Sequence, residues 1–354
     1  MRRLALVLTL VGLAMAMLAT PAFAKTRNVW PGHSIQKAVN HAKPGDTVLV
    51  HHGTYHQTVA ITKNDINLVG RHVTLLPPAH PTGLCAQVSA PTVSGICVFG
   101  RFDAQGNPDT THPASGNRIT GFRVEHFSGE GIFLFNVADT TIVRNVAAWN
   151  GDYGIVGFVQ HGGRYLWNVS HDNTAPGFYL GDSPHADYVI AHNVSFGNEF
   201  GIFVRHSAHG VVRDNQVWGN CIGVFFLDDG QPGGEHNLTL EHNRSWANDK
   251  ACAASDDGPA VSGVGVLFLG AQHSVARDNV IRDNVASGPS PFSGGFLLLS
   301  AKPFGGGHNP AFDRIVDNRL SGNQPDDVIW DGTGAGNVFS GNSCSTSSPS
   351  WICS

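Results

Sequence analysis

Charge is in short supply in this chain. Asp, Glu, Lys and Arg make up 14% of its 354 residues, 22 basic against 27 acidic. That balance offers no electrostatic footprint for a nucleic-acid backbone. Long apolar runs are equally scarce: the only one spans residues 4–20, behind Arg2 and Arg3 and ahead of Ala22-Phe23-Ala24. A basic start, an apolar core and a small-x-small site read as a secretory signal peptide over residues 1–24, cut before Lys25. No second span follows, so no stable membrane anchor is expected. There is no CxxC or Cys/His zinc spacing, which argues against a structural zinc site. No GxSxG, phosphate loop or heptad stretch is present to weigh.

What is present is repetitive. Two asparagines stand in the pattern N-x-x-x-x-N eight times, beginning at Asn145, Asn168, Asn193, Asn215, Asn243, Asn279, Asn318 and Asn337. The first steps are 23, 25 and 22 residues; later ones stretch to 28, 36 and 39 before a last of 19. Most copies are followed by a glycine and a β-branched or aromatic run, as at Gly131, Gly154, Gly177, Gly201, Gly223, Gly265 and Gly295. Short strands between Asn turns at this period build one coil of a β-helix. Stacked coils place like residues above one another, about 4.8 Å apart. The asparagines are then expected to form buried ladders, with an architectural role.

One domain over residues 25–354 follows. A helix over residues 34–42, behind Ser34, covers the first coil at about 30–46. Excursions leave the stack at about 77–116, 247–262 and 300–312. The C-terminal end, about 338–354, is closed by a disulfide. Six cysteines in an exported chain imply disulfides. Sequence neighbours pair most simply, as Cys85–Cys97, Cys221–Cys252 and Cys344–Cys353, among fifteen formal connectivities.

The stretch SIQKAVNHAKPGDTVLVHHGTYHQTVAI, residues 34–61, resembles the N-terminal cap of the pectate-lyase-like superfamily, and the Asn-punctuated coils resemble its repeats. The resemblance implies an all-β right-handed parallel β-helix with three sheets and about ten coils. It also implies an exported protein that binds or modifies acidic polysaccharides. A local stretch, Tyr179-Leu180-Gly181-Asp182-Ser183-Pro184-His185, is similar to the Tyr-x-x-Asp-Pro-His motif of alginate C5-epimerases, in which the Tyr, Asp and His are catalytic. It departs from the motif by one inserted residue, Ser183, which puts the place of His185 in doubt.

Reading five residues on from each repeat glycine gives the row Asn136, Val159, Asp182, His206, Asp228, Gly270 and Ser300. Three consecutive coils thus bring Asp182, His206 and Asp228 together, with His161, Arg164, His185, Arg205 and Asp229 nearby. Lyases and epimerases of uronate polymers both remove the proton beside the carboxylate. They need a group that neutralises the carboxylate and a base. Arg205 suits the first task, His185 or His206 the second, and Tyr179 a proton relay. Asp182 suits orienting a histidine. Asp182 and Asp228 also suit a calcium ion, or paired with each other or with Asp229, a glycosidase. The strands also present an outward row, Phe133, Val156, Tyr179, Phe203, Phe225, Leu267 and Leu297. It reads as a surface under the excursions, a sugar platform using Phe203 and Phe225, or a subunit interface.

The expected protein is secreted or periplasmic and more monomeric than trimeric. It acts on an extracellular polysaccharide by elimination or C5-epimerisation. The alternatives are a non-catalytic adhesin-like β-helix, possible as an oligomer, and an accessory protein that handles metals.

Overall fold

Each Asn turn is built by a residue that leaves the right-handed region. Arg144, Trp167, His192, Asp214, His242, Asp278 and Asp317 have φ of 54–58°. The asparagine that follows turns its side chain into the core, where Asn145, Asn168, Asn193 and Asn215 are at most 1% exposed. Its Oδ1 accepts from the coil before: Asn145 donates to Asn168 Oδ1 from both its backbone N (3.0 Å) and its Nδ2 (3.2 Å). Asn168 Nδ2 in turn donates to Ile142 O at 2.9 Å. One side chain thus satisfies several buried polar groups that the corner would otherwise strand.

The ladder continues through Asn193, Asn215, Asn243, Asn279 and Asn318. A second runs from Asn150 through Asn173, Asn198, Asn220, Asn248 and Asn284 to Asn323, and ends on Asp327. The last expected copy is out of register. Asn318 pairs with Asn342, not Asn337. Asn337 instead accepts from Asp313 N, in a third polar row. The final coil is shorter, so its second asparagine takes the first one's place.

The structure, a computed structural model, describes residues 24–254 and 258–353. Apart from Ala24, the expected leader lies outside the described residues, as do Asp256 and Asp257. Every coil contributes strands to three parallel ladders. Thr141, Arg164, Val189, Val211, Thr239, Val275, Arg314 and Val338 stand in one register. Val146, Val169, Val194, Gln216, Arg244, Val280 and Arg319 stand in the next. The third holds Val59, Ile96, Ile132, Ile155, Phe178, Ile202, Val224, Val266, Phe296 and Val328. Glycine is required where the third strand begins. A Cβ on Gly201 would sit 2.4 Å from Gly223 O, and one on Gly223 2.5 Å from Gly265 O.

The helix Ile35–His41 forms as expected, with Ser34 accepting from Lys37 N, and it buries Ile35 and Val39 over the first coil. The excursion expected over 77–116 is not one loop. It contains the strand Ile96–Phe99, a full member of the third ladder, flanked by the helix Leu84–Val88 and a loop. The Pro-rich flanks hide its Gly-Ile-Cys-Val-Phe run, which follows the same glycine-opened pattern as the other coils.

Inward side chains form the main core. The outward row forms a second apolar cluster with Cys85, Phe102, Cys221, Val261, Phe292 and Ala301, all contributed by other segments. No member of the row is more than 8% exposed. The excursions therefore cover it, and Phe203 and Phe225, stacked at 4.7 Å, are not an open platform. All three neighbour disulfides form. Among the described residues no helix is long and apolar enough to cross a membrane.

Candidate active site

The third ladder ends at a second left-handed corner. Asn136, Val159, Asp182, His206 and Gly270 there have φ of 48–77°. Register fixes the neighbours: Gly181 faces Arg205 and Ser183 faces Ser207, so Asp182 stands beside His206. Arg205 faces Leu227, which puts Asp228 next in the row. The row expected from the sequence exists.

Its side chains form a chain of charges. His206 Nδ1 lies 3.0 Å from Asp182 Oδ1, and its Nε2 pairs with Asp229 Oδ1. Arg205 Nε donates to Asp229 Oδ2 at 2.9 Å, and Nη2 donates to the same oxygen. Arg205 also reaches the Tyr179 hydroxyl. The Tyr179 ring lies over Gly181, where a Cβ would meet its Cε1 at 2.4 Å. The order is Tyr179, Arg205, Asp229, His206, Asp182, drawn from three coils. Only Asp182, 55% exposed at its side chain, and Arg205, 37%, open widely to solvent.

The His206 side chain is 4% exposed, with a carboxylate at each ring nitrogen. His206 thus sits between Asp182 of the coil before and Asp229 of the coil after. Its hydrogen bond holds the Asp182 carboxyl below the usual carboxylate range, with Arg205 adding to the effect. Burial drives the Tyr179 hydroxyl well up, against the pull of Arg205, so it is a proton donor rather than a phenolate. Burial also works against the Arg205 charge, and Asp229 more than restores it.

The remaining expected residues separate. Asp228 is 1% exposed; its Oδ1 accepts from Gly230 N at 2.9 Å and its Oδ2 from His308 Nδ1 at 2.6 Å. The His185 side chain is exposed, and its carbonyl accepts from His161 Nδ1 at 2.6 Å. Among the described residues no hydrogen bond or ion pair joins the His185 side chain to the chain of charges. Arg164 lies in the strand Arg164–Leu166 of the first ladder, away from the corner. Each carboxylate of the Asp182 and Asp228 pair is engaged by a histidine, His206 at Asp182 Oδ1 and His308 at Asp228 Oδ2. No set of three His, Cys, Asp or Glu among the described residues is arranged to hold a metal ion.

Two neighbours escaped the sequence reading. Glu235 is buried beneath the row and accepts from Ser207 N at 3.0 Å; burial pushes its carboxyl well up, with the Asp228 charge adding. His308 arrives from the last excursion. Neither shares the repeat's spacing; a histidine behind Gly305-Gly306-Gly307 was the only trace of the second.

The family described as "Right handed beta helix region" matches residues 130–303. No curated protein matches the chain in sequence. Among solved structures, a mannuronan C-5 epimerase A-module of Azotobacter vinelandii is similar at 19% identity and a TM-score of 0.61, over 87% of both chains. A second such A-module from Azotobacter vinelandii is 18% identical over 87% of this chain and 90% of that one, with a TM-score of 0.54. The Dettilon tailspike protein is 15% identical over 90% of this chain and 58% of its own, with a TM-score of 0.55. The coil geometry, the family match over residues 130–303 and these neighbours show that the chain folds as a right-handed parallel β-helix.

Proposed function

We propose that this protein is exported and modifies a uronate polysaccharide by removing the proton at C5, with elimination or epimerisation as the outcome. The observation that carries the reading is the chain Tyr179–Arg205–Asp229–His206–Asp182 on one corner. The C5 proton is weakly acidic, and its removal leaves charge on the adjoining carboxylate. Arg205 commits Nε and Nη2 to Asp229, and its guanidinium, 37% exposed at the side chain, is the group for a substrate carboxylate. Asp229, fixed from its other side by His206, holds the guanidinium in place. Tyr179, with its hydroxyl at Arg205, is the proton donor: to C5 from the opposite face in epimerisation, or to the leaving O4 in elimination. Asp182 stands exposed at the end of the chain, where it orients the sugar hydroxyls.

The two epimerase A-modules lend weight at the level of the polymer acted on, and three disulfides suit an oxidising compartment. The test pairs two assays on alginate, pectate and hyaluronan, with and without calcium. Absorbance at 235 nm reports unsaturated uronate, and proton NMR reports a changed C5 configuration. Arg205→Ala and His206→Ala should lose either signal while keeping the wild-type circular dichroism. Full activity in both variants would reject this corner as the site.

A further inference from the structure

We propose that His308 is the general base of this site, delivered to it by the last excursion. The inference rests on the uronate reading above. It begins with a shortage: the corner holds a carboxylate partner and a proton donor but no obvious base. His206 is walled in, with Asp182 at one ring nitrogen, Asp229 at the other and its side chain 4% exposed. Asp229 is spent on Arg205 and His206. Tyr179 is a buried phenol. The His185 side chain has no link to the network.

His308 has what the others lack. Its side chain is 57% exposed, yet Nδ1 is held 2.6 Å from Oδ2 of Asp228, a carboxylate only 2% exposed at its side chain. The second oxygen of Asp228 is fixed by Gly230 N at 2.9 Å. An imidazole that donates from Nδ1 to a carboxylate carries its lone pair on Nε2. Nε2 has no hydrogen-bond partner among the described residues. A base oriented by a fixed acid is the arrangement used to activate imidazoles in general.

The loop that carries His308 is seated on the site's own backbone. A Cβ on Gly306 would lie 2.4 Å from Asp229 O, and one on Gly307 2.0 Å from Asp228 O. Both residues have positive φ, 155° and 77°, so only glycine permits this approach. Ala301 N donates to His308 O at 3.0 Å, and Ser300 Oγ to Asn309 Oδ1 at 2.8 Å. The excursion is therefore pinned at the corner, next to the Asp229 that holds Arg205.

In the step, the C5–H bond breaks and its proton passes to His308 Nε2. The electron pair moves into the carboxylate held by Arg205. It then returns to C5 with the Tyr179 proton on the other face, or expels O4, which takes that proton. Proton exchange with solvent restores His308 and Tyr179.

The experiment follows exchange of the C5 hydrogen of polymannuronate, polyguluronate and polygalacturonate in deuterated buffer. Full-length wild type, His308→Gln, His308→Gly and Asp228→Asn are compared, with melting temperatures as the folding control. His308→Gln should lower kcat about 100- to 10,000-fold with KM little changed. Added imidazole should restore a measurable part of the rate to His308→Gly and none to Arg205→Ala. Asp228→Asn should weaken the rate and move the pH profile. An active wild type with His308→Gln within about twofold of it would overturn the assignment of His308 but not the uronate reading. So would a loss that is purely in KM and is not rescued by imidazole. A wild type that neither exchanges the C5 hydrogen nor forms unsaturated ends on any polymer would overturn both.

Discussion

At the scale of the residue, asparagine does one job repeatedly and well. Asn215 accepts from Asn193 N at 2.9 Å and donates to Ile190 O and Asn243 Oδ1, each at 2.9 Å. Asn215→Ala would leave these groups buried and unpaired, at about 1–3 kcal/mol each. We predict a loss of at least about 3 kcal/mol in a denaturant melt; a loss below about 1 would contradict the ladder's role. Asp313 makes a sharper case. It stands in the third polar row, accepts from Ser274 N at 2.8 Å, and leaves Oδ2 buried without a partner. Burial pushes its carboxyl up to about 8, against hydrogen bonds that pull it down. Between the ordinary carboxyl value and about 8, the folded protein keeps a proton that the unfolded chain has lost. Stability should therefore fall as pH rises through that window and level off above it. Asp313→Asn should raise the unfolding free energy at pH 8 by on the order of a few kcal/mol and leave it nearly unchanged at pH 4. An equal gain at both would refute the buried proton. The two asparagine ladders were legible because their spacing repeats. The third row was not, because Ser, Glu, Asp and Asn share its task and no single letter recurs.

At the scale of the element, the third strand of each coil sets the site. Counting five residues from each glycine was enough to bring Asp182, His206 and Asp228 together, because parallel coils keep register. Counting could not say what each side chain would meet. Asp228 turned to His308 rather than to His206, because a loop 80 residues away closes over it. The His185 side chain is exposed, and its carbonyl accepts from His161 Nδ1 at 2.6 Å. The excursions have a second task, to roof the outward apolar row. Cys221–Cys252 ties down the excursion whose Val261 shares a cluster with Phe225. Cys252 and Val261 also exchange backbone hydrogen bonds at 3.0 and 3.1 Å. Replacing both cysteines by alanine should cost about 2–4 kcal/mol and raise binding of a hydrophobic dye before global unfolding. Unchanged dye binding would mean that the roof does not depend on this bridge.

At the scale of the whole molecule, stacking identical coils separates two demands. Inward Asn, Ser, Gly and apolar residues hold the stack, so the outer corners are free to vary. This is why the fold was plain in the sequence while solved neighbours share under a fifth of its residues. It is also why the candidate site is assembled by register: its proposed members run from Tyr179 to His308, and no local motif contains them. In the near-match at Tyr179–His185, the inserted Ser183 turns inward and is 2% exposed. Its hydroxyl accepts from Gln160 N at 3.0 Å, which makes it part of the stack rather than of the site. Elimination and epimerisation share only their first event, so that event is the most direct test of the molecule's chemistry. Wild-type protein would be incubated with uronate polymers in deuterated buffer, and C5 followed by NMR. Deuterium at C5, or unsaturated ends at 235 nm, lost in Arg205→Ala, is the predicted result. A C5–H signal that stays intact on every uronate polymer would contradict the account.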